Sequence, residues 1–290
     1  MKAKQSASVI AVGPETMDFM AHGYTLIDEP LNLRDGGQRW FKKVYETSCD
    51  ANAGAGLVLG ATAWMGSLLS NNQPLVFMID VSSMMLQMAE ADLKKATPAQ
   101  AAKVRCIQAN WQQLPALPAP IGIAVGDNSF SFLPYPEGWA QMCDELADRM
   151  APQGLLITRF LSLPQDHERA SADQIVKAFT LRPTINYTEL RATLLFGHCD
   201  ERTYAIDTES VLAEFDANRN LFDGLLRRFN APLQNDLLTI DKYRSAGAVY
   251  YAPPLASVLS LMAKRFRIIA AHFGPYAMSE YFPLIVAARR

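Results

Sequence analysis

The chain has 290 residues, half of them hydrophobic and 19% charged, with a formal net charge of -2. That length allows a large core, built as one elaborated domain or as a domain with a sizeable insertion. The near-neutral balance argues against nucleic acid as a partner, because phosphate backbones require clustered Lys and Arg, and Ala287-Ala288-Arg289-Arg290 is too short to change that.

The four cysteines, Cys49, Cys106, Cys143 and Cys199, are widely spaced and form no CxxC pair, which fits a reducing compartment rather than a zinc knuckle or a disulfide scaffold. Met1 to Ser8 carry two lysines that no apolar stretch of leader length follows, and no apolar run reaches membrane-spanning length. A cytoplasmic protein without a membrane partner is expected.

Residues 1–53 read as a helical preamble, with helix-compatible spacing from Pro14 to Met20 and from Arg39 to Cys49 and a turn at Leu31-Asn32-Leu33-Arg34-Asp35-Gly36-Gly37 between them. Strands and helices then alternate. Leu57 to Leu59 is the first strand, with a helix through Ser70, and Leu75 to Ile79 the second, running into Asp80 and followed by a methionine-rich helix from Ser82 to about Lys95. Val104 to Ala109 and Ile121 to Val125 are the third and fourth strands; a helix from about Glu137 to Met150 and a Pro152-Gln153-Gly154 turn lead to the fifth, Leu155 to Phe160. Continuous apolar strands alternating with helices imply parallel crossovers and a sheet covered on both faces.

The rhythm changes after Phe160. The segment 163–252 reads mainly as helices: Ala170 to Phe179, Tyr187 to Leu195, Thr208 to Phe215 and Leu221 to Phe229. Pro253-Pro254 opens a helix through Lys264, and two strand-like runs, Phe266 to Ala271 and Phe282 to Ala288, flank Gly274-Pro275-Tyr276. The expected fold is α/β: a doubly wound, mostly parallel, seven-stranded sheet with an antiparallel last strand. The core spans 54–162 and 253–290, an N-terminal helical cap spans 1–53, and 163–252 is a helical lid over the open strand ends, where ligands of such sheets bind.

Gly60 closes the first strand and Asp80 stands about 20 positions beyond it. A strand-ending glycine followed at that interval by an acid is the geometry that holds a ribose over a parallel sheet. Asp80 has a second possible use, as a cap for the helix that begins near Ser82. Gly54-Ala55-Gly56 precedes its strand, whereas a phosphate-cradling glycine pair follows one, which weighs against a nicotinamide dehydrogenase.

Taken together, this order of motifs resembles the class I S-adenosylmethionine-dependent methyltransferases, over about Leu57 to Phe160 and again at the last two strands. The resemblance implies S-adenosylmethionine as cofactor. It places Gly60, Ala61, Thr62 and Ala63 at the cofactor turn, Asp80 on the ribose, Val81 to Met85 (Met84 and Met85 above all) along the adenine, and Asn110 at the adenine edge beside Trp111. Gly126, Asp127, Asn128 and the run through Phe132 pass under the methionine part, and Met150-Ala151-Pro152-Gln153-Gly154 matches the approach to strand five with Gln153 in place of the first glycine. The turn departs from the family pattern, since only Gly60 stands where two or three glycines are usual.

Trp111 has core packing as its alternative use, and Met84, Met85 and Met88 have helix packing. Asp127 and Asn128 either form a turn or stand at the amino-acid end of the cofactor or the acceptor atom, where they are the catalytic candidates. Tyr187, Arg191, Tyr204 and Tyr243, with Phe132, are candidates for an acceptor pocket. His22, His167, His198 and His272 show no metal-ligand spacing, so no metal is expected; adjacent His198-Cys199-Asp200 residues do not face one another, and no GxSxG elbow occurs. The expected reaction is methyl transfer to a small molecule by a protein that is a possible homodimer. The alternatives are cyclisation of the methionine moiety with release of methylthioadenosine, and a non-catalytic scaffold.

Overall fold

In each strand of the first half, successive apolar side chains serve opposite faces of one sheet, and this period of two sorts the core into two layers. Leu57 and Leu59 share one cluster with Phe77, Ile79 and Trp139, while Val58 joins the other with Met78, Val125 and Phe41. A computed structural model describes residues 29–49, 54–96, 98–228 and 247–290. The Pro14 to Met20 helix, His22 and Tyr243 lie outside the described residues.

The strands are β1 (Ala55–Leu59), β2 (Val76–Asp80), β3 (Val104–Gln108), β4 (Ile121–Asp127), β5 (Met150–Arg159), β6 (Ala205–Asp207), β7 (Val249–Tyr251), β8 (Phe266–His272) and β9 (Leu284–Arg289). Seven of them form a sheet in the order β3-β2-β1-β4-β5-β9-β8. Pairings from β3 through β5 are parallel, and β9 runs antiparallel to both β5 and β8. The expected seven-stranded sheet with an antiparallel last strand is therefore present. Between β1 and β4 the strand order reverses, and the carboxyl ends of these two strands open a crevice.

Helices α1 (Asp35–Ser48), α2 (Ala63–Ser70) and α3 (Ser83–Ala96) pack on one face, through Phe41, Val44, Tyr45, Met65, Leu69, Leu86 and Leu93. After the short α4 (Pro98–Ala101), α5 (Glu137–Arg149) covers the opposite face with Trp139, Met142 and Leu146. Between β5 and the last helix, α10 (Leu255–Met262), lie α6 (Ala172–Thr180), α7 (Tyr187–Gly197), α8 (Thr208–Ala217) and α9 (Arg219–Arg228). These helices build a third hydrophobic cluster around Phe179, Phe196, Phe215 and Phe222.

Three local expectations change. The turn expected at 31–37 ends sooner, because α1 already begins at Asp35. Glu29 organises that start: its Oε1 accepts the backbone N–H of Gly37 at 2.7 Å and of Arg34 at 3.2 Å, and a Cβ on Gly37 would stand only 2.5 Å from that oxygen. Pro152-Gln153-Gly154 lies inside β5 as an irregularity rather than before it, with Gln153 at φ 61° and the β4–β5 register shifting opposite it. The helical segment 163–252 also contains β6, paired antiparallel with β7. Three-residue strands are too short to show alternation, and these partners lie more than 40 residues apart in sequence. Among the described residues, no helix is long and apolar enough to cross a membrane.

Candidate functional site

The crevice at the β1–β4 switch point deepens into a cavity with about 860 Å³ of empty space, its open mouth included. Its floor comes from the β1 turn (Leu59, Gly60, Ala61, Thr62), from Asp80 at the end of β2, and from Asp127, Asn128 and Ser129 after β4. Met85 and Trp111 form one wall, while Arg191 and Leu195 reach in from α7 and Tyr250 from β7.

Local chemistry fixes each part of the floor. Gly60 sits at φ 108°, a backbone conformation that side-chain-bearing residues rarely adopt. A Cβ there would point at Asp80 Oδ2, Trp111 Cζ2 and Ser129 Oγ from 3.8–3.9 Å, so the glycine is demanded by the backbone and not by lack of space. Asp80 is almost wholly buried and accepts two backbone N–H groups, that of Ala61 at 3.0 Å and that of Ser82 at 2.8 Å. It thus holds the β1 turn against the end of β2. The cap of α3 falls to Ser82, whose Oγ accepts the Met85 N–H at 3.0 Å. Trp111 donates its indole N–H to the Ile79 carbonyl at 2.7 Å, which fixes the ring beside the same turn.

The other half of the floor is a buried ionic knot. Asp127 and Arg159 are register partners at the ends of β4 and β5, and Arg159 Nε donates to Asp127 Oδ1 at 2.6 Å with both side chains buried. Arg159 Nη1 also donates to the Pro30 carbonyl at 2.6 Å and to the Tyr276 hydroxyl at 3.2 Å. Burial works against the guanidinium charge, but the adjacent Asp127 carboxylate and Tyr276 hold its pKa above the ordinary arginine value. Burial raises the Tyr276 hydroxyl, and Arg159 partly offsets this. Asn128 takes a left-handed conformation at φ 60° and donates its side-chain amide to the Leu31 carbonyl at 2.9 Å. Asp127 Oδ2 and Asn128 Oδ1 are buried and have no hydrogen-bond partner among the described residues.

Of the residues singled out in the sequence, Gly60, Ala61, Thr62, Asp80, Met85, Trp111, Asp127, Asn128, Phe132 and Arg191 come together around this cavity. Others stand elsewhere. Asn110 makes a turn, its Oδ1 accepting the Gln112 N–H at 2.9 Å, and does not line the cavity. Val81 and Tyr187 pack against the third hydrophobic cluster, and Met84 is not part of the lining. Gly126 lies beneath the floor, where a Cβ would come within 2.9 Å of Ser129 Oγ. That close approach lets Ser129 Oγ donate to the Leu59 carbonyl at 2.5 Å and bind the β4 turn to β1. Tyr204 packs edge-on against Tyr135.

His198, Cys199 and Asp200 take separate tasks. His198 Nε2 meets Glu214 at 2.9 Å, Asp200 Oδ1 accepts from Thr203, and burial pushes the Cys199 thiol up to about 12. Among the described residues, no group of three or more His, Cys, Asp or Glu is placed to hold a metal ion.

Sequence reasoning overlooked Arg159, Leu195 and Tyr250. Arg159 had a signal, since it is the one charge in the apolar run Leu155 to Phe160. Leu195 and Tyr250 had none, because the contacts that bring them here span long sequence distances.

No sequence-family model matches the chain, and no curated protein matches it in sequence. Solved structures do match in fold. Magnesium protoporphyrin IX methyltransferase (ChlM) from Synechocystis PCC 6803, with bound S-adenosylhomocysteine, aligns with a TM-score of 0.52 at 13% identity, covering 95% of each chain. The N-methyltransferase NodS from Bradyrhizobium japonicum WM9, in complex with S-adenosylhomocysteine, aligns with a TM-score of 0.50 at 11% identity over 94% of this chain and 98% of that one. A Rhodobacter sphaeroides protein described as a zinc-dependent alcohol dehydrogenase aligns with a TM-score of 0.59 at 14% identity, covering 96% of this chain and 98% of its own. The chain therefore has the class I methyltransferase fold. Identities this low show the fold alone, and function rests on the site.

Proposed function

We propose that the chain is an S-adenosylmethionine-dependent methyltransferase acting on a small molecule. The observation that carries this reading is the pair of buried acceptor oxygens on the floor of the switch-point cavity, Asp127 Oδ2 and Asn128 Oδ1, which have no hydrogen-bond partner among the described residues. Buried acceptors without donors are costly, so this part of the floor calls for a ligand that brings N–H donors. An α-ammonium group supplies them. On the opposite side, the Asp80 carboxylate at the end of β2, held by the Ala61 and Ser82 N–H groups, is the acceptor for the ribose hydroxyls. Trp111 and Met85 offer the adenine an apolar wall.

When bound, the cofactor supplies a methyl carbon already activated by the sulfonium. The protein's part is then to position the acceptor and keep water out. Phe132, Leu161, Leu195 and Tyr250 provide an apolar wall around the space left for the acceptor. Asp127, paired with Arg159, is placed to hold an ammonium group.

Titration calorimetry with S-adenosylhomocysteine tests the reading. Micromolar binding is expected, weakened tenfold or more in Asp80→Ala and in Asn128→Leu, as loss of hydrogen bonds to a charged group implies. No binding to the wild-type protein would overturn the proposal. Methylthioadenosine rather than S-adenosylhomocysteine as the product of turnover would replace methyl transfer with cyclisation.

A further inference from the structure

The backbone carbonyls of Glu29, Pro30 and Leu31 are each bound by a different part of the molecule. Glu29 accepts from the side-chain amide of Asn186, the N-cap of α7, at 3.5 Å. Pro30 accepts from Arg159 Nη1 at 2.6 Å, and Leu31 accepts from Asn128 Nδ2 at 2.9 Å and from Arg159 Nη2 at 3.4 Å. The far end of the segment is secured as well. Leu33 is buried in the cluster that contains Phe41, its carbonyl accepts from Gln38 Nε2 at 2.9 Å, and Glu29 Oε1 reaches forward to the Arg34 and Gly37 N–H groups. Residues 29–33 thus form a strap across the ends of β4 and β5, and Leu31 lines the cavity.

The strap decides how this half of the floor presents itself. A side-chain amide can offer a ligand either its oxygen or its NH2. Because the Leu31 carbonyl takes Asn128 Nδ2, Oδ1 is the end left without a partner among the described residues. Arg159 acts likewise on Asp127: Nε takes Oδ1 and leaves Oδ2, while both Nη groups hold the strap. We propose that the strap and the amino-acid end of the cofactor bind cooperatively, with Arg159 as the positioning residue that joins them. This rests on the S-adenosylmethionine reading of the cavity and adds what tells that ligand from a nucleoside lacking the amino acid. A donor on Asn128 Oδ1 polarises the amide and strengthens its bond to Leu31. The coupling is reciprocal, so loosening the strap weakens the ligand. A nucleoside held only at Asp80, Trp111 and Met85 leaves this half of the floor untouched and gains nothing from the strap.

The probes are S-adenosylhomocysteine and methylthioadenosine, which share the nucleoside and the thioether and differ in the amino-acid part. Amide hydrogen exchange across residues 30–34 is followed in the full chain with each ligand at saturation. S-adenosylhomocysteine is expected to slow it about tenfold, and methylthioadenosine by about twofold at most. Calorimetry then compares variants. Glu29→Ala, which unties the strap from the start of α1, should weaken S-adenosylhomocysteine about tenfold and methylthioadenosine by about twofold at most. Arg159→Lys keeps a cation beside Asp127 but loses the fork that reaches Pro30 and Leu31, and it should show the same split.

S-adenosylhomocysteine binding that leaves exchange across 30–34 unchanged would overturn the proposal and leave the cofactor reading intact. Equal protection by methylthioadenosine would overturn it too. Equal loss of both ligands in Glu29→Ala would reduce the strap to a structural part and do the same. If S-adenosylhomocysteine does not bind the wild type, the cofactor reading falls and the proposal with it. The exchange measurement needs no variant, so the test stays decisive even if both variants fail to fold.

Discussion

Replacing Arg159 with methionine removes the centre of the knot beneath the candidate site. The guanidinium is fully buried and holds Asp127 Oδ1 at 2.6 Å and the Pro30 carbonyl at 2.6 Å. Without it, the Asp127 carboxylate remains inside the protein with no countercharge. Breaking a buried pair from one side typically costs about 3–5 kcal/mol. At roughly 2–4 °C per kcal/mol for large domains, the melting temperature should fall on the order of 10 °C. Asp127→Leu should cost a similar amount, now by stranding the arginine.

The double variant Arg159→Met/Asp127→Leu separates stability from function. With both charges gone, apolar side chains fill the site, and replacing a buried ion pair by packed apolar residues is often neutral or stabilising. Urea and thermal unfolding of the wild type, both single variants and the double variant form a cycle whose coupling term isolates the pair. The double variant should recover to within about 1 kcal/mol of the wild type. Its affinity for S-adenosylhomocysteine should remain low, since Asp127 Oδ2 is lost with the carboxylate. Single variants as stable as the wild type, or a double variant no better than Arg159→Met, would refute this account of the knot.

Gly60→Ala should destabilise the protein by about 1–3 kcal/mol through backbone strain at φ 108°, and weaken S-adenosylhomocysteine binding as the turn shifts; Tm shifts and calorimetry check both, and an unchanged Tm would contradict the backbone reading. His167 supplies a pH effect: burial lowers its pKa from 6.5, with the Phe196 backbone partly opposing. The unfolded chain binds the proton more tightly, so this stability is complete above pH 6.5 and declines as pH falls toward the folded-state value. Urea unfolding between pH 5 and 7.5 should show His167→Phe losing less stability on acidification than the wild type; equal slopes would count against the assignment.

The sheet was readable because buried parallel strands leave continuous apolar runs such as Leu57 to Leu59 and Val76 to Ile79, each ending at a residue of different character. Gly60 and Asp80 were legible for the same reason, since strand order and spacing carry them to neighbouring strand ends. What could not be read was set by distance in sequence. Arg191 reaches the cavity from α7 and Tyr250 from β7, by contacts that leave no local pattern. The pairing of β6 with β7 is hidden likewise, and so is the reach of Arg159 to Pro30, 129 positions away.

The turn with one glycine makes sense once Asp80 is seen as part of it. A glycine-rich turn is adaptable because its backbone is free, and that freedom is also an entropy cost on folding. Here Gly60 supplies the one conformation that needs a positive φ, and Asp80 Oδ2 fixes the next residue through the Ala61 N–H. Thr62 N–H then closes onto the Gly60 carbonyl at 3.0 Å and starts α2. The same carboxylate lines the cavity, so the residue that shapes the turn is also the one proposed to hold the ribose. Fewer glycines therefore do not imply a lost site. Under the proposed function, turn and binding group are one unit, in which the acid carries part of what further glycines would otherwise supply.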